Sequence, residues 1–273
     1  MSCIEFVELM KAIDKDIEII PAHIWTPWFS VFGSKSGFDT LKDAFGDQLK
    51  HIHALETGLS SDPAMNWRLS QLDKYTLVSN SDLHSFWPWR MGREANVFEL
   101  EKISYDAILN TIKTKKGFVE TIEVDPAYGK YHYDGHRKCN VCLKPSETMK
   151  LQGMCPVCKK PVTIGVEYRV EELADRPEGY KPKNAIPFRS LIPLTEILSQ
   201  ILGKGLQTQT VWKEYNKIIK MFGNENNILL NIDYKDLLKV TTPNIAQAIV
   251  DSREGKINVQ PGFDGEYGIP NFE

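Results

Sequence analysis

The 273-residue chain is 42% hydrophobic and 25% charged, the composition of an ordinary globular protein with one large or two modest domains. Its formal charge of -3 argues against a generally basic nucleic-acid coat, and no apolar run approaches the length needed to cross a bilayer. No basic segment followed by an apolar one opens the chain, so a cytoplasmic location is expected.

Apolar positions in residues 4–12 have helical spacing. Residues 16–21 alternate and then turn apolar, which predicts a strand ending just before His23. A short helix is expected over 38–45 and a second strand over 51–55. Asp62 and Pro63 form a cap and first turn for a helix running to Leu72. A third strand is predicted at 75–78. Ser104 caps a helix over 105–112, and a fourth strand covers 117–124. Short apolar strands alternating with helices predict α/β layering with parallel pairing. Beyond residue 190, helices are expected over 191–202, 211–222, 234–238 and 244–252, with a closing strand at 256–260.

Three predicted strands end in ionisable residues: His23, then Glu56, then Asp82 and His84. In parallel α/β folds, sites are built at the carboxyl ends of strands. Asp82 and His84 are two apart, so on an extended segment they point the same way and can grip one divalent ion. The alternative is an aspartate capping a turn and a histidine packed on Trp87. His23 lies among aromatics, where a packed core histidine is the commoner outcome. Glu56 can be a ligand, a base or a hydrogen-bond acceptor, or a carboxylate satisfied by the glycine turn after it. The turn Ser34-Lys-Ser-Gly37 can hold a phosphate through backbone N–H groups, although no Walker motif occurs.

Four cysteines form two knuckles: Cys139 and Cys142, then twelve residues, then Cys155 and Cys158. That spacing is the mark of a tetrahedral four-thiolate zinc site in a module spanning about residues 131–170. Two disulfides are the alternative, disfavoured in a reducing compartment. His132 and His136 precede the first knuckle and are assigned to phosphate or structural contacts, because four thiolates already close the shell. Between Lys130 and Lys160 stand seven Lys or Arg against two acids, a pattern that fits either phosphate-backbone contact or solvated lysines.

The blocks running from His23 to Phe38, Glu56 to Pro63, Ser79 to His84, Gly129 to Cys139 and Arg169 to Pro177 together resemble the endonuclease Q family. That resemblance implies a partial, distorted α/β barrel of the PHP (polymerase and histidinol phosphatase) type in residues 1–128. It further implies a small zinc-ribbon-like module in 129–175 and a mainly helical region in 176–273. The implied activity is DNA repair, with metal-dependent nicking of damaged DNA on the 5′ side of a deaminated base or abasic site. By position, His23, Asp82 and His84 match PHP metal ligands and Glu56 matches a strand-end acid. The implied cofactors are structural Zn²⁺ at Cys139, Cys142, Cys155 and Cys158, and a catalytic divalent metal (Zn²⁺, Mn²⁺ or Mg²⁺). A PHP domain opens with a His-x-His strand, and none precedes His23. The expectation is therefore a missing or separately encoded N-terminal PHP half, and weak or no nuclease activity from this chain alone. Two other readings stay open: a zinc-stabilised DNA-binding protein that does not cut, and a PHP-type small-molecule phosphoesterase.

Overall fold

The computed structural model describes residues 1–35, 37–85 and 87–272. Helix α1 (Cys3–Ile13) starts at a capping box, in which the Ser2 hydroxyl accepts from the Glu5 amide and the Glu5 carboxylate accepts from the Ser2 amide. Residues 16–21, expected as a strand, join no ladder. They pass beside β1 (Ala54–Glu56) with a bond from the Glu56 amide to the Pro21 carbonyl at 3.0 Å, and just beyond them the Ile24 amide donates back to the Glu56 carbonyl at 3.2 Å. Helix α2 (Leu41–Phe45) precedes β1. Helix α3 (Pro63–Asn66) is capped by Asp62, and β2 (Thr76–Val78) pairs parallel with β1 so that Glu56 faces Val78. The two strands therefore end side by side.

A second sheet contains β3 (Ala95–Phe98), β4 (Phe118–Glu123) and β7 (Phe188–Ser190) in the order β3-β4-β7, with β4–β7 parallel and β3–β4 antiparallel. The predicted α/β class and parallel pairing are present, while β3 was not foreseen. Helix α4 (Tyr105–Thr114) begins at the expected Ser104 cap. Strands β5 (Asp134–His136) and β6 (Val141–Leu143) form a hairpin, followed by α5 (Pro145–Lys150) and α6 (Val166–Leu173). The C-terminal helices are α7 (Leu194–Leu202), α8 (Gln209–Phe222), α9 (Glu225–Leu230), α10 (Tyr234–Leu237) and α11 (Pro243–Arg253). A hairpin of β8 (Asn258–Gln260) and β9 (Ile269–Asn271) closes the chain.

One apolar core gathers Val7, Trp25, Phe32, Leu55 and Leu69 around β1, and Val166 and Val170 of α6 enter it. A second joins Ile122 of β4 to the helices through Ile197, Ile218 and Ile249. A third, around Leu143, Cys155 and Val162, is much smaller. No helix among the described residues is long and apolar enough to cross a membrane.

Candidate functional site

The parallel register brings the tips of β1 and β2 together. Thr57, just past β1, donates its amide to the Val78 carbonyl at 3.0 Å and its hydroxyl to Glu123 of β4 at 3.0 Å. Glu123 is fully buried, and burial pushes its pKa up to about 7 despite hydroxyl donors from Thr121 and Thr57. Glu56 takes the Asn80 side-chain amide at 2.9 Å on one oxygen and the His23 backbone amide at 2.7 Å on the other. The His23 ring Nδ1 lies 3.6 Å from that second oxygen. Gly58 makes this approach possible, because a Cβ there would stand 2.6 Å from the His23 Cβ. His23 and Asp82 both have positive φ, +32° and +43°. Such backbone is unusual outside glycine and clusters at functional positions.

The four sequence-predicted residues stand as two pairs. His23 faces Glu56. The His84 Nδ1 donates to the Asp82 carbonyl at 2.7 Å and lies 3.6 Å from the Asp82 carboxylate. The pairs share one electrostatic neighbourhood, since Asp82 contributes to the raised pKa of His23, behind the nearer Glu56 carboxylate. The ligand atoms of His23, Asp82 and His84 are not gathered within 4.8 Å of one another. The physical reason is the left-handed Asp82: alternation holds only along an extended strand, and the turn there directs the His84 ring back onto its own backbone. Asp82 and His84 line a cavity of about 550 Å³ with Trp87, Arg90, Arg93 and Tyr128.

In the Ser34–Gly37 turn, Ser36 lies outside the described residues. The Lys35 and Gly37 amides already donate to the Pro27 and Gly33 carbonyls, so these N–H groups are not offered to a phosphate. Trp25 is buried with its indole N–H on Asn66, and Trp87 stacks on Trp212 with ring centroids 6.0 Å apart.

Among the described residues, one group of Cys, His and acid atoms is close enough to hold a metal: His136, Cys139, Cys155 and Cys158, all within 4.8 Å of one another. Cys142 is not in it, which departs from the four-thiolate set. The β5–β6 hairpin explains why. Val141 and Leu143 turn inward toward the small core, so Cys142 between them points out to solvent. His136 takes the vacated corner, with Nδ1 3.3 Å from the Cys158 sulfur. The pattern His136-x-x-Cys139 carried that signal in the sequence, but it is eclipsed by the two Cys-x-x-Cys knuckles. Burial raises the Cys155 pKa, yet the Cys158 and Val157 amides and His136 overcome it and bring it down to about 6. The thiolate is the form that metals bind. The Cys139 thiol is pushed up to about 11 by desolvation and by its neighbours Cys158 and Cys155. All seven basic residues between Lys130 and Lys160 are exposed.

Comparison with known proteins places this architecture. The chain is 34% identical to the lesion-specific endonuclease PfuEndoQ from Pyrococcus furiosus, with a TM-score of 0.88 over 99% of this chain and 66% of that one. It matches equally, at 34% identity and a TM-score of 0.87, a crystal structure of endonuclease Q in complex with a 27-mer duplex substrate with an abasic lesion at the active site, covering 99% of this chain and 67% of that one. The chain belongs to the endonuclease Q family. Residues 193–256 also match the family model of the MJ0043 C-terminal domain. The uncharacterized protein MJ0043 of Methanocaldococcus jannaschii is 37% identical over 92% of this chain. The chain spans 32% of that relative's length and about two thirds of the solved endonuclease Q chains.

Proposed function

We propose that this protein is a DNA repair endonuclease of the endonuclease Q type, which recognises damaged, deaminated DNA and hydrolyses a phosphodiester 5′ of a deaminated base or abasic site. The observation that carries this reading is the strand-tip cavity holding Asp82 and His84, in a fold matched along 99% of the chain by lesion-directed endonucleases.

His23, Asp82 and His84 are the proposed ligands of a divalent ion (Zn²⁺, Mn²⁺ or Mg²⁺), with Glu56 orienting His23. Such an ion, when bound, generates hydroxide near neutral pH and neutralises charge on the phosphate. As arranged, the two pairs do not form a cage for it, so turnover by this chain alone is expected to be weak until a His-x-His segment adds ligands. The second metal group fits zinc, since three thiolates and one imidazole make a tetrahedral sulfur–nitrogen set. The separation of the catalytic residues into two pairs favours a second reading, in which the chain binds lesion DNA without cutting it.

A duplex carrying one deoxyuridine or one abasic site separates the two. The endonuclease reading expects slow, Mn²⁺-stimulated nicking 5′ of the lesion. Asp82→Asn should lower that rate by about 100-fold or more while lesion binding is retained. Lesion-selective binding with no nicking, even after a His-x-His segment is added, supports the second reading. A chain that ignores lesion DNA altogether sinks both.

A further inference from the structure

The cavity that holds Asp82 and His84 also holds two guanidinium groups, Arg90 and Arg93. They flank Gly92, whose φ of +72° turns the chain between them. Arg93 is fixed in place, with Nε and Nη2 both donating to the Ser81 carbonyl at 3.3 and 3.0 Å. The Ser81 hydroxyl donates in turn to the Glu94 carbonyl at 3.0 Å, which locks this segment against the residue preceding Asp82. Among the described residues neither arginine is in an ion pair with a carboxylate. Arg68, Arg137, Arg169, Arg176 and Arg189 all are, in a chain with more acids than bases.

The acids that reach these two arginines are poorly placed to neutralise them. Glu196, on the same cavity wall, accepts from the Tyr128 hydroxyl at 2.7 Å, and burial raises its pKa. Glu94 is buried and held well above the carboxylate range, first by burial and then by Glu123. Asp82 is half-exposed and faces His84. Burial, followed by the charge of Arg90, lowers the pKa of Arg93, so two repelling cations share one partly desolvated cleft. A phosphate relieves that repulsion, and its oxygens match the guanidinium fork.

We propose that Arg90 and Arg93 form a clamp that seats one phosphodiester of a DNA strand over the Asp82–His84 strand tip. The clamp is read from the cavity, whereas the choice of DNA over a smaller phosphate rests on the function proposed above.

The test uses the full chain and its Arg90→Ala, Arg93→Ala and Arg93→Lys variants, each checked for folding by thermal melting. Two probes are titrated without added divalent metal: inorganic phosphate, followed by calorimetry, and a fluorescent duplex with one abasic-site analogue, followed by anisotropy across a salt series. Each alanine variant should weaken DNA binding by about 5- to 30-fold and reduce the slope of log affinity against log salt by about 1. Arg93→Lys should keep most of the slope. A purely structural Arg93 would instead give Arg93→Ala a lower Tm with an unchanged slope, and would leave Arg90→Ala with wild-type binding; that pattern overturns the clamp. If the wild type binds phosphate through these arginines and ignores DNA, the clamp stands and the DNA reading fails. If the wild type binds DNA and both alanine variants match it in affinity and slope, the clamp fails and the DNA reading stands. Binding of neither probe by the wild type removes both.

Discussion

The contact most specific to the strand-tip site is a single pair. His23 presents its backbone amide and its ring to one oxygen of Glu56. The Glu56 carboxylate 3.6 Å from the ring raises the His23 pKa, partial burial opposes it, and the charge of Asp82 adds to the rise. Because the folded value lies above the ordinary 6.5, the protonated form is the one the fold favours. The pair's stabilisation is complete below pH 6.5 and disappears as the pH climbs through the raised value. An NMR titration of the His23 ring should give a midpoint above 6.5, and Glu56→Gln should bring it down and flatten stability over the same window. A midpoint insensitive to Glu56→Gln would contradict the pairing. Strand-tip logic put Glu56 at the end of β1 and Asp82 and His84 beyond β2, but the strand expected before His23 did not form. That His23 turns to Glu56, and His84 back onto Asp82, was not visible. Both outcomes depend on left-handed backbone at His23 and Asp82, which periodicity does not encode.

Capped helices were the most legible elements: Ser104 before α4 and Asp62 before α3 fix where each helix starts. Strands were harder. β3 is held by its antiparallel neighbour β4 rather than by its own pattern, and residues 16–21 have the pattern without the partner. Helix α6 shows how tertiary contact joins segments that composition separates. Buried Arg169 donates from Nε to the Phe32 carbonyl at 3.0 Å, and its other nitrogens bond Asp39 and Glu172 at 2.6 Å each. Asp39 and Glu172 are largely exposed, so those charges are screened. The Phe32 carbonyl is the costly partner to abandon. Arg169→Ala should destabilise by about 1–3 kcal/mol, the cost of a buried polar group left unpaired. Asp39→Asn should cost under about 1 kcal/mol. Denaturant unfolding monitored by Trp fluorescence measures both, and equal effects would mean that the exposed ion pair, rather than the carbonyl, anchors α6.

The two large cores can hold the molecule without a metal, but the module between them cannot hold itself. Its interior amounts to Leu143, Cys155 and Val162 with partly buried neighbours. Apolar burial on that scale does not offset chain entropy, whereas a structural zinc contributes on the order of 10 kcal/mol to such a module. Its ties to the rest run to the C-terminal loop, where Asp264 accepts from the Arg137 amide and the Thr163 hydroxyl at 2.6 Å each, and to α6, whose Val166 and Glu167 amides donate to the Tyr131 and His132 carbonyls at 2.8 and 3.0 Å. Chelation should therefore open residues 129–164 to protease while both flanking cores stay resistant, and Cys155→Ser should do the same. The knuckle spacing made this module legible, but not which four groups face inward, since that depends on the β6 side-chain alternation that turns Cys142 outward. Cys142→Ser should consequently keep one metal per chain and remain protease-resistant. His136→Ala, which removes an inward donor, should release the ion at chelator concentrations the wild type withstands. Metal content and limited proteolysis of the two variants read this directly. Loss of the ion from Cys142→Ser with retention in His136→Ala would reverse the assignment and restore the four-thiolate set.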